Sequence, residues 1–168
     1  MIELEVVGIP APQGSKSAVL IGGKARLIEG SSTTGREKHK SWRQGVAQAG
    51  RDYLILHPRA PIDAPVRLWI VFRFPLPGSD KYRTLHCVKP DLSKIIRSTE
   101  DAVVDAGILR DDSLVCSVRA DKFYCHGDAT PGATIAIHEL GDFETSNRAR
   151  LKELAKEARR EGHGPETL

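Results

Sequence analysis

The sequence predicts a single α+β domain, a mixed β-sheet with an N-terminal hairpin and helices packed on the sheet. Three observations carry this. With 168 residues, 40% of them hydrophobic, the chain is long enough for one sizeable core. Several short stretches alternate apolar and polar residues or concentrate β-branched and aromatic ones, as strands do. Between them lie two stretches whose apolar residues recur at helical spacing.

Taken in order, residues 2–7 (IELEVV) alternate as a half-buried strand and end in a Pro/Gly loop over 8–17. Residues 18–21 and 25–28 flank Gly22-Gly23, a turn that hairpins favour. A polar connection over 31–35 offers hydroxyls to cap a first helix at about 37–54, where Trp42, Val46 and Ala49 form the apolar stripe. Prolines break residues 57–65. Residues 66–74 (VRLWIVFRF) form the strongest strand, expected at the centre of the sheet, and a long, partly basic loop follows. A second helix carries Ile95, Thr99, Ala102, Val103 and Ala106 on one face and stops at Gly107. Strands over 113–124 and 133–140 complete the domain, residues 1–140. Residues 141–168 add a charged helix, anchored by Leu151 and Leu154, and a tail.

Composition narrows the function. No apolar run approaches the ~20 residues of a membrane span. The N-terminus lacks the basic start and apolar stretch of a secretory signal, so a cytoplasmic location is expected. Cys87, Cys116 and Cys125 form no CxxC, and reduced, partly buried thiols are expected rather than a disulfide scaffold or zinc ribbon. The net charge of +3 is unevenly spread: residues 1–60 carry nine Lys/Arg against five acids, whereas residues 61–140 carry ten against eleven. A basic N-terminal third suits a polyanionic partner. Gly8 with Gly14-Ser-Lys-Ser17 comes near a phosphate-binding loop. The spacing is wrong, and Pro10 and Pro12 fit such a loop poorly, so no nucleotide cofactor is expected. Lys16 is better placed as a phosphate-backbone contact.

Residues 89–115 (KPDLSKIIRSTEDAVVDAGILRDDSLV) concentrate the chemistry. Asp91 precedes the second helix and Asp111-Asp112 follow it, with Lys94, Arg97, Asp101 and Asp105 on its polar side. Hard carboxylate oxygens from separate elements are what a divalent cation needs to activate water against a phosphodiester. Adjacent residues on extended chain point oppositely, so one of Asp111 and Asp112 should face the metal and the other solvent or a backbone donor. Each residue also has a plain structural role open to it. Asp91 suits a helix N-cap, Arg97–Asp101 a surface pair four residues apart, and Asp111-Asp112 a turn.

This segment resembles the RusA family of Holliday junction resolvases, small endodeoxyribonucleases common in bacteriophages and prophages. The family pattern is Asp-x-Asp-Asn, a basic residue, a further Asp and then Asp-Asp. Here those positions hold Asp91-Leu92-Ser93-Lys94, Arg97, Asp101 and Asp111-Asp112. The Pro/Gly loop ending at Lys16 also looks like that of phage members, and the order of elements matches as far as about Leu140. The resemblance implies a Mg²⁺-dependent homodimer, with Mn²⁺ able to substitute. It would resolve branched DNA by paired nicks during recombination and repair.

In that reading Asp91, Asp111 and Asp112 hold the metal, and Asp91, Asp112, Arg97 and Lys94 are the catalytic set, with Ser93 and Asp101 beside them. Lys16, Arg26, Lys38, Lys40, Arg43, Lys81 and Arg83 are the expected DNA contacts. Three positions depart from the family: Ser93 stands for a metal-ligand Asp, Lys94 for Asn and Arg97 for Lys. Serine removes a charged ligand, and arginine cannot donate a proton near neutral pH. The rival function is therefore a non-enzymatic protein that binds DNA junctions.

Overall fold

The computed structural model describes residues 1–13, 16–21, 24–29, 33–78 and 82–141, with helical positions 150, 152, 153, 156 and 157 beyond them. In chain order the elements are β1 (Ile2–Val7), β2 (Lys16–Ile21), β3 (Lys24–Glu29), α1 (Thr33–Leu56), β4 (Val66–Phe74), α2 (Leu92–Asp105), β5 (Val115–Tyr124) and β6 (Gly132–Glu139). One 3-10 turn, Asp112–Leu114, precedes β5. Strands β1, β6, β4 and β5 form a mixed sheet in that order, and β2 pairs with β3 as a separate hairpin. This is the expected α+β class. Leu151 and Leu154, the expected anchors of the C-terminal helix, lie outside the described residues.

Alternation decides which face each strand buries. Ile2, Leu4 and Val6 of β1 point into the core while Glu3 and Glu5 point out. On β4, Val66, Leu68, Ile70, Phe72 and Phe74 are all at most 3% exposed. Burial of each such side chain stabilises the fold by about 1.5–3 kcal/mol. β4 lies inside the sheet, antiparallel to β6 and parallel to β5. Parallel neighbours need a long crossover, and the segment containing α2 supplies it. The site is thus built on the connection between the two parallel strands.

Helix α1 begins earlier than its apolar stripe predicts, because Thr33, Thr34 and Gly35 are already helical. It packs along α2. Inside the seam, Trp42 Nε1 donates to Thr99 Oγ1 at 3.2 Å, and Thr99 Oγ1 donates to the Ile95 carbonyl at 2.9 Å. Gly50 lets the helices close further down, since a Cβ there would lie 2.6 Å from Ala106 Cβ. On the outside, Arg43 of α1 reaches Asp101 at 3.6 Å and also pairs with Asp105. Buried Ile95, Thr99, Ala102 and Val103 turn α2 toward the core, as the helical spacing predicts, and Ser98, which that spacing did not include, is buried with them.

Candidate active site

The Asp91 end of α2 is set by the loop that leaves β4. This loop runs back beside the last residues of β5: Tyr124 N donates to the Thr84 carbonyl at 2.8 Å and His86 N to the Lys122 carbonyl at 3.1 Å. His86 is buried, stacked on Phe74 with ring centroids 3.8 Å apart and tilted against Tyr124 at 4.8 Å. Burial, and then the Lys122 charge, hold the His86 imidazole below its usual pKa. Lys122 Nζ donates to the Val88 carbonyl at 3.0 Å and to the Pro90 carbonyl at 2.7 Å. It therefore grips the backbone immediately before Asp91, where the Lys89–Pro90 peptide is cis.

Asp91 occupies the N-cap position of α2, but its side chain makes no capping hydrogen bond. Its carboxylate lies 3.3 Å from Lys94 Nζ and is more than half exposed. Ser93, Lys94 and Arg97 are also exposed. Gln13 N donates to the Lys94 carbonyl at 3.3 Å, tying the N-terminal loop to the first turn of the helix.

The other end is fixed by backbone pairing. Gly107, with φ +81, turns the chain out of α2, a conformation that favours glycine. Buried Ile108 and Leu109 follow. Ile62 N donates to the Ile108 carbonyl at 2.8 Å and Arg110 N to the Ile62 carbonyl at 3.0 Å. Beyond this clamp Asp111 accepts a hydrogen bond from Ser113 N at 2.9 Å. The hydrogen bonds from Ser113 hold its carboxyl below the usual range.

Asp112 opens the 3-10 turn, rather than standing at a plain loop–strand junction as expected, and is exposed. Of the acidic pair, Asp111 is thus the residue that faces a backbone donor. Glu100, a residue the sequence reading passed over, is pushed above the usual carboxylate range. Burial is the main cause, then the charges of Asp112 and Asp101, with Arg97 opposing. Its position between the buried and polar faces of α2 was the available signal.

Asp112 and Asp101 are therefore close enough to act electrostatically on Glu100, in the C-terminal half of α2. Glu100 lies nine positions after Asp91, about 13 Å along the helix axis. Among the described residues no three His, Cys, Asp or Glu side chains gather closely enough to hold a metal ion. The donor chemistry itself fits a hard divalent cation. All the groups are carboxylates, and the charges of Asp112 and Asp101 add to burial in raising Glu100, a repulsion that a cation would relieve.

The expected DNA contacts divide. Lys38, Lys40 and Arg83 are exposed. Arg43 is half-buried and committed to Asp101 and Asp105, so it joins the two helices, and Asp101 pairs with it rather than forming the surface pair with Arg97 that the sequence left open. Lys16 and Arg26 lie on β2 and β3, with side chains outside the described residues, as is all of Lys81. Lys40, Arg43, Gln44 and Arg51 of α1, with Asp105 of α2, line an open pocket of ≈ 380 Å³. Cys87 and Cys116 are exposed, and only Cys125 is partly buried as expected; all three are free.

The structure thus holds a parallel strand–helix–strand unit with an exposed carboxylate at the start of its helix and others in the turn that follows it, beside a helix rich in lysine and arginine. Residues 22–138 match the family model described as Endodeoxyribonuclease RusA, a span well over half of the chain. The chain belongs to this endodeoxyribonuclease family. The match runs from β3 into β6 and contains both ends of α2. No curated protein matches the chain.

Proposed function

We propose that the protein is a divalent-metal-dependent endonuclease that cuts branched DNA, resolving Holliday junctions by paired nicks in recombination and repair. The observation that carries this reading is the family match over a segment whose Asp91 stands exposed at the start of α2 and whose Asp112 stands exposed in the 3-10 turn after it. Asp91, Asp111 and Asp112 would hold Mg²⁺, or Mn²⁺ in its place. The bound ion supplies charge neutralisation at the scissile phosphate and a more acidic water. Arg97 and Lys94 offset charge on the phosphate, Ser93 and Asp101 stand beside the ligands, and Lys38, Lys40 and Arg83 grip the backbone with Lys16, Arg26 and Lys81.

A homodimer suits a substrate with two-fold symmetry. The placing of Asp91 and Asp112 toward different ends of one helix adds a reason for it, because pairing two chains can bring opposite ends together. Among the described residues no helix is long and apolar enough to cross a membrane, and we place the enzyme in the cytoplasm, of a bacterial host if phage-encoded. Residues 1–140 would be the nuclease domain and 141–168 an appended helix and tail.

Ser93 favours a second reading, a junction-binding protein without nuclease activity, since it removes a charged ligand. A four-way DNA junction incubated with the protein in Mg²⁺ decides between them. Symmetric nicks that disappear in Asp112→Asn support the enzyme. Binding with no nicks in either Mg²⁺ or Mn²⁺ supports the second reading. Ser93→Asp is expected to raise cleavage or metal affinity; an unchanged rate would place Ser93 outside the metal's surroundings.

A further inference from the structure

The residues of β4 that alternate with the core face away from the helices, and Trp69 stands in the middle of them, 45% exposed. Its direct cross-strand neighbours are Arg119 on β5 and Ala136 on β6. Ala136 is too small to cover the indole, and His138 leans on it from one side with ring centroids 5.2 Å apart. A central strand thus holds a large aromatic ring nearly half in water, on a face where a polar residue would cost less.

The charges nearest the ring are two arginines, with Asp121 beside one of them and Glu3 one strand further out, past Ala136. Arg119 is 75% exposed at the side chain and meets Asp121 only at 3.8 Å. Arg67, two residues along β4, donates from Nε to Ser117 Oγ at 3.3 Å, and among the described residues no carboxylate pairs with it. An aromatic face flanked by guanidinium groups on an open sheet suits an unpaired nucleobase and its neighbouring phosphates. A duplex keeps its base faces stacked inside and cannot use such a ring.

The position also fits. β5 is an edge strand that begins just after Asp112. Arg119 lies four residues into it, about 13 Å along the strand. A strand leaving the acidic end of α2 reaches the outer face by rounding this edge.

We propose that the outer face around Trp69 is a platform for single-stranded DNA. Trp69 stacks on a base left unpaired at a branch point, and Arg119 and Arg67 hold the adjoining phosphates. The presence of such a strand rests on the endonuclease reading; the binding chemistry does not.

The chain has two tryptophans, and the other, Trp42, is 2% exposed, so quenching of fluorescence by a ligand reports Trp69. The full chain is titrated in EDTA with oligothymidylate, with a DNA duplex of equal length and with oligouridylate. The proposal expects quenching by oligothymidylate and not by duplex. Trp69→Ala should weaken that binding about tenfold, in line with the loss of one stacked base. Trp69→Phe should keep most of it, and Arg119→Ala should lower its salt dependence. Matching thermal unfolding of the variants excludes misfolding.

Unchanged oligothymidylate binding by Trp69→Ala overturns the platform. Quenching that follows protein concentration without DNA overturns it in favour of self-association, and tighter binding of oligouridylate overturns it in favour of RNA. Junction nicking in Mg²⁺, assayed separately, keeps the two readings apart. No nicking with Trp69-dependent binding intact removes only the endonuclease reading, and nicking without such binding removes only the platform.

Discussion

At its N-terminal end α2 receives Asp91 from a loop whose backbone is gripped by Lys122, while the Asp91 carboxylate itself pairs with Lys94. At the far end the backbone is again pinned, through Ile62, but here the carboxylates are engaged: Asp111 takes the Ser113 amide and Asp112 is felt by Glu100. One end therefore positions an acid beside a lysine, and the other gathers carboxylates that repel one another. For the metal site proposed above, the contrast sets where a cation would gain most. It would relieve repulsion at the Asp112 end, and the Asp91 end would supply an aimed ligand.

The widest difference between the ends should appear in Asp112→Asn. Junction nicking should fall by about two orders of magnitude, the scale of losing a charged oxygen from a metal site. Unfolding should shift by no more than about 0.5 kcal/mol because the residue is exposed. A comparable fall in stability would mean that Asp112 holds the fold rather than the ion.

Next in size is Lys122→Met, which leaves the Val88 and Pro90 carbonyls without their charged donor. Urea unfolding should register a loss of about 2 kcal/mol. Nicking should need more Mg²⁺, and Lys122→Arg should recover part of both. An unaltered Mg²⁺ requirement would separate the Lys122 grip from the placing of Asp91.

The Asp91 end also carries the acid sensitivity. Because the folded His86 has a lowered pKa, the unfolded chain takes up its proton first as pH falls. Stability is thus fully present above about pH 6.5 and is lost as pH drops from there toward the folded pKa. His86→Phe should flatten that slope, measured as urea midpoints at pH 7.5 and pH 5.5. An equal slope in the variant would place the titration elsewhere.

The smallest effect belongs to Glu100→Gln. A raised carboxyl pKa gives stability that is present below the unfolded value of 4.5 and lost as pH rises through the folded one. The variant should match the parent at pH 4 and exceed it at pH 7, by less than about 1 kcal/mol since water screens a half-exposed group. Mg²⁺ should stabilise the parent more than the variant. A variant less stable at pH 7 would show that the carboxylate is held by attraction, not repulsion.

Much of this was legible in local pattern. Alternation placed Ile2, Leu4 and Val6 inside, the β-branched run put β4 within the sheet, and helical spacing gave the buried face of α2 except for Ser98, whose hydroxyl made it read as polar. What escaped depends on partners distant in sequence. Nothing near Arg43 shows that its guanidinium reaches Asp105, 62 residues away, instead of standing clear for phosphate. Nothing near Glu100 reveals the charge of Asp112 beside it. The parallel pairing of β4 with β5 is likewise invisible, because ladder partners leave no mark on either strand alone. The start of α1 was missed because Thr33 and Gly35 favour turns in isolation, and the helix behind them overrides that preference.

β5 acts as a measuring rod for the whole arrangement. It starts beside Asp112, shows Arg119 to the outer face beside Trp69, and carries Lys122 to the loop before Asp91. Side chains alternate along it, so an inserted residue early in the strand exchanges the faces of everything downstream. Arg119 would then turn inward and Lys122 would leave the Pro90 carbonyl. The length of one strand sets the spacing of acid, aromatic and cation together, and drift at any one of them would be constrained by the other two.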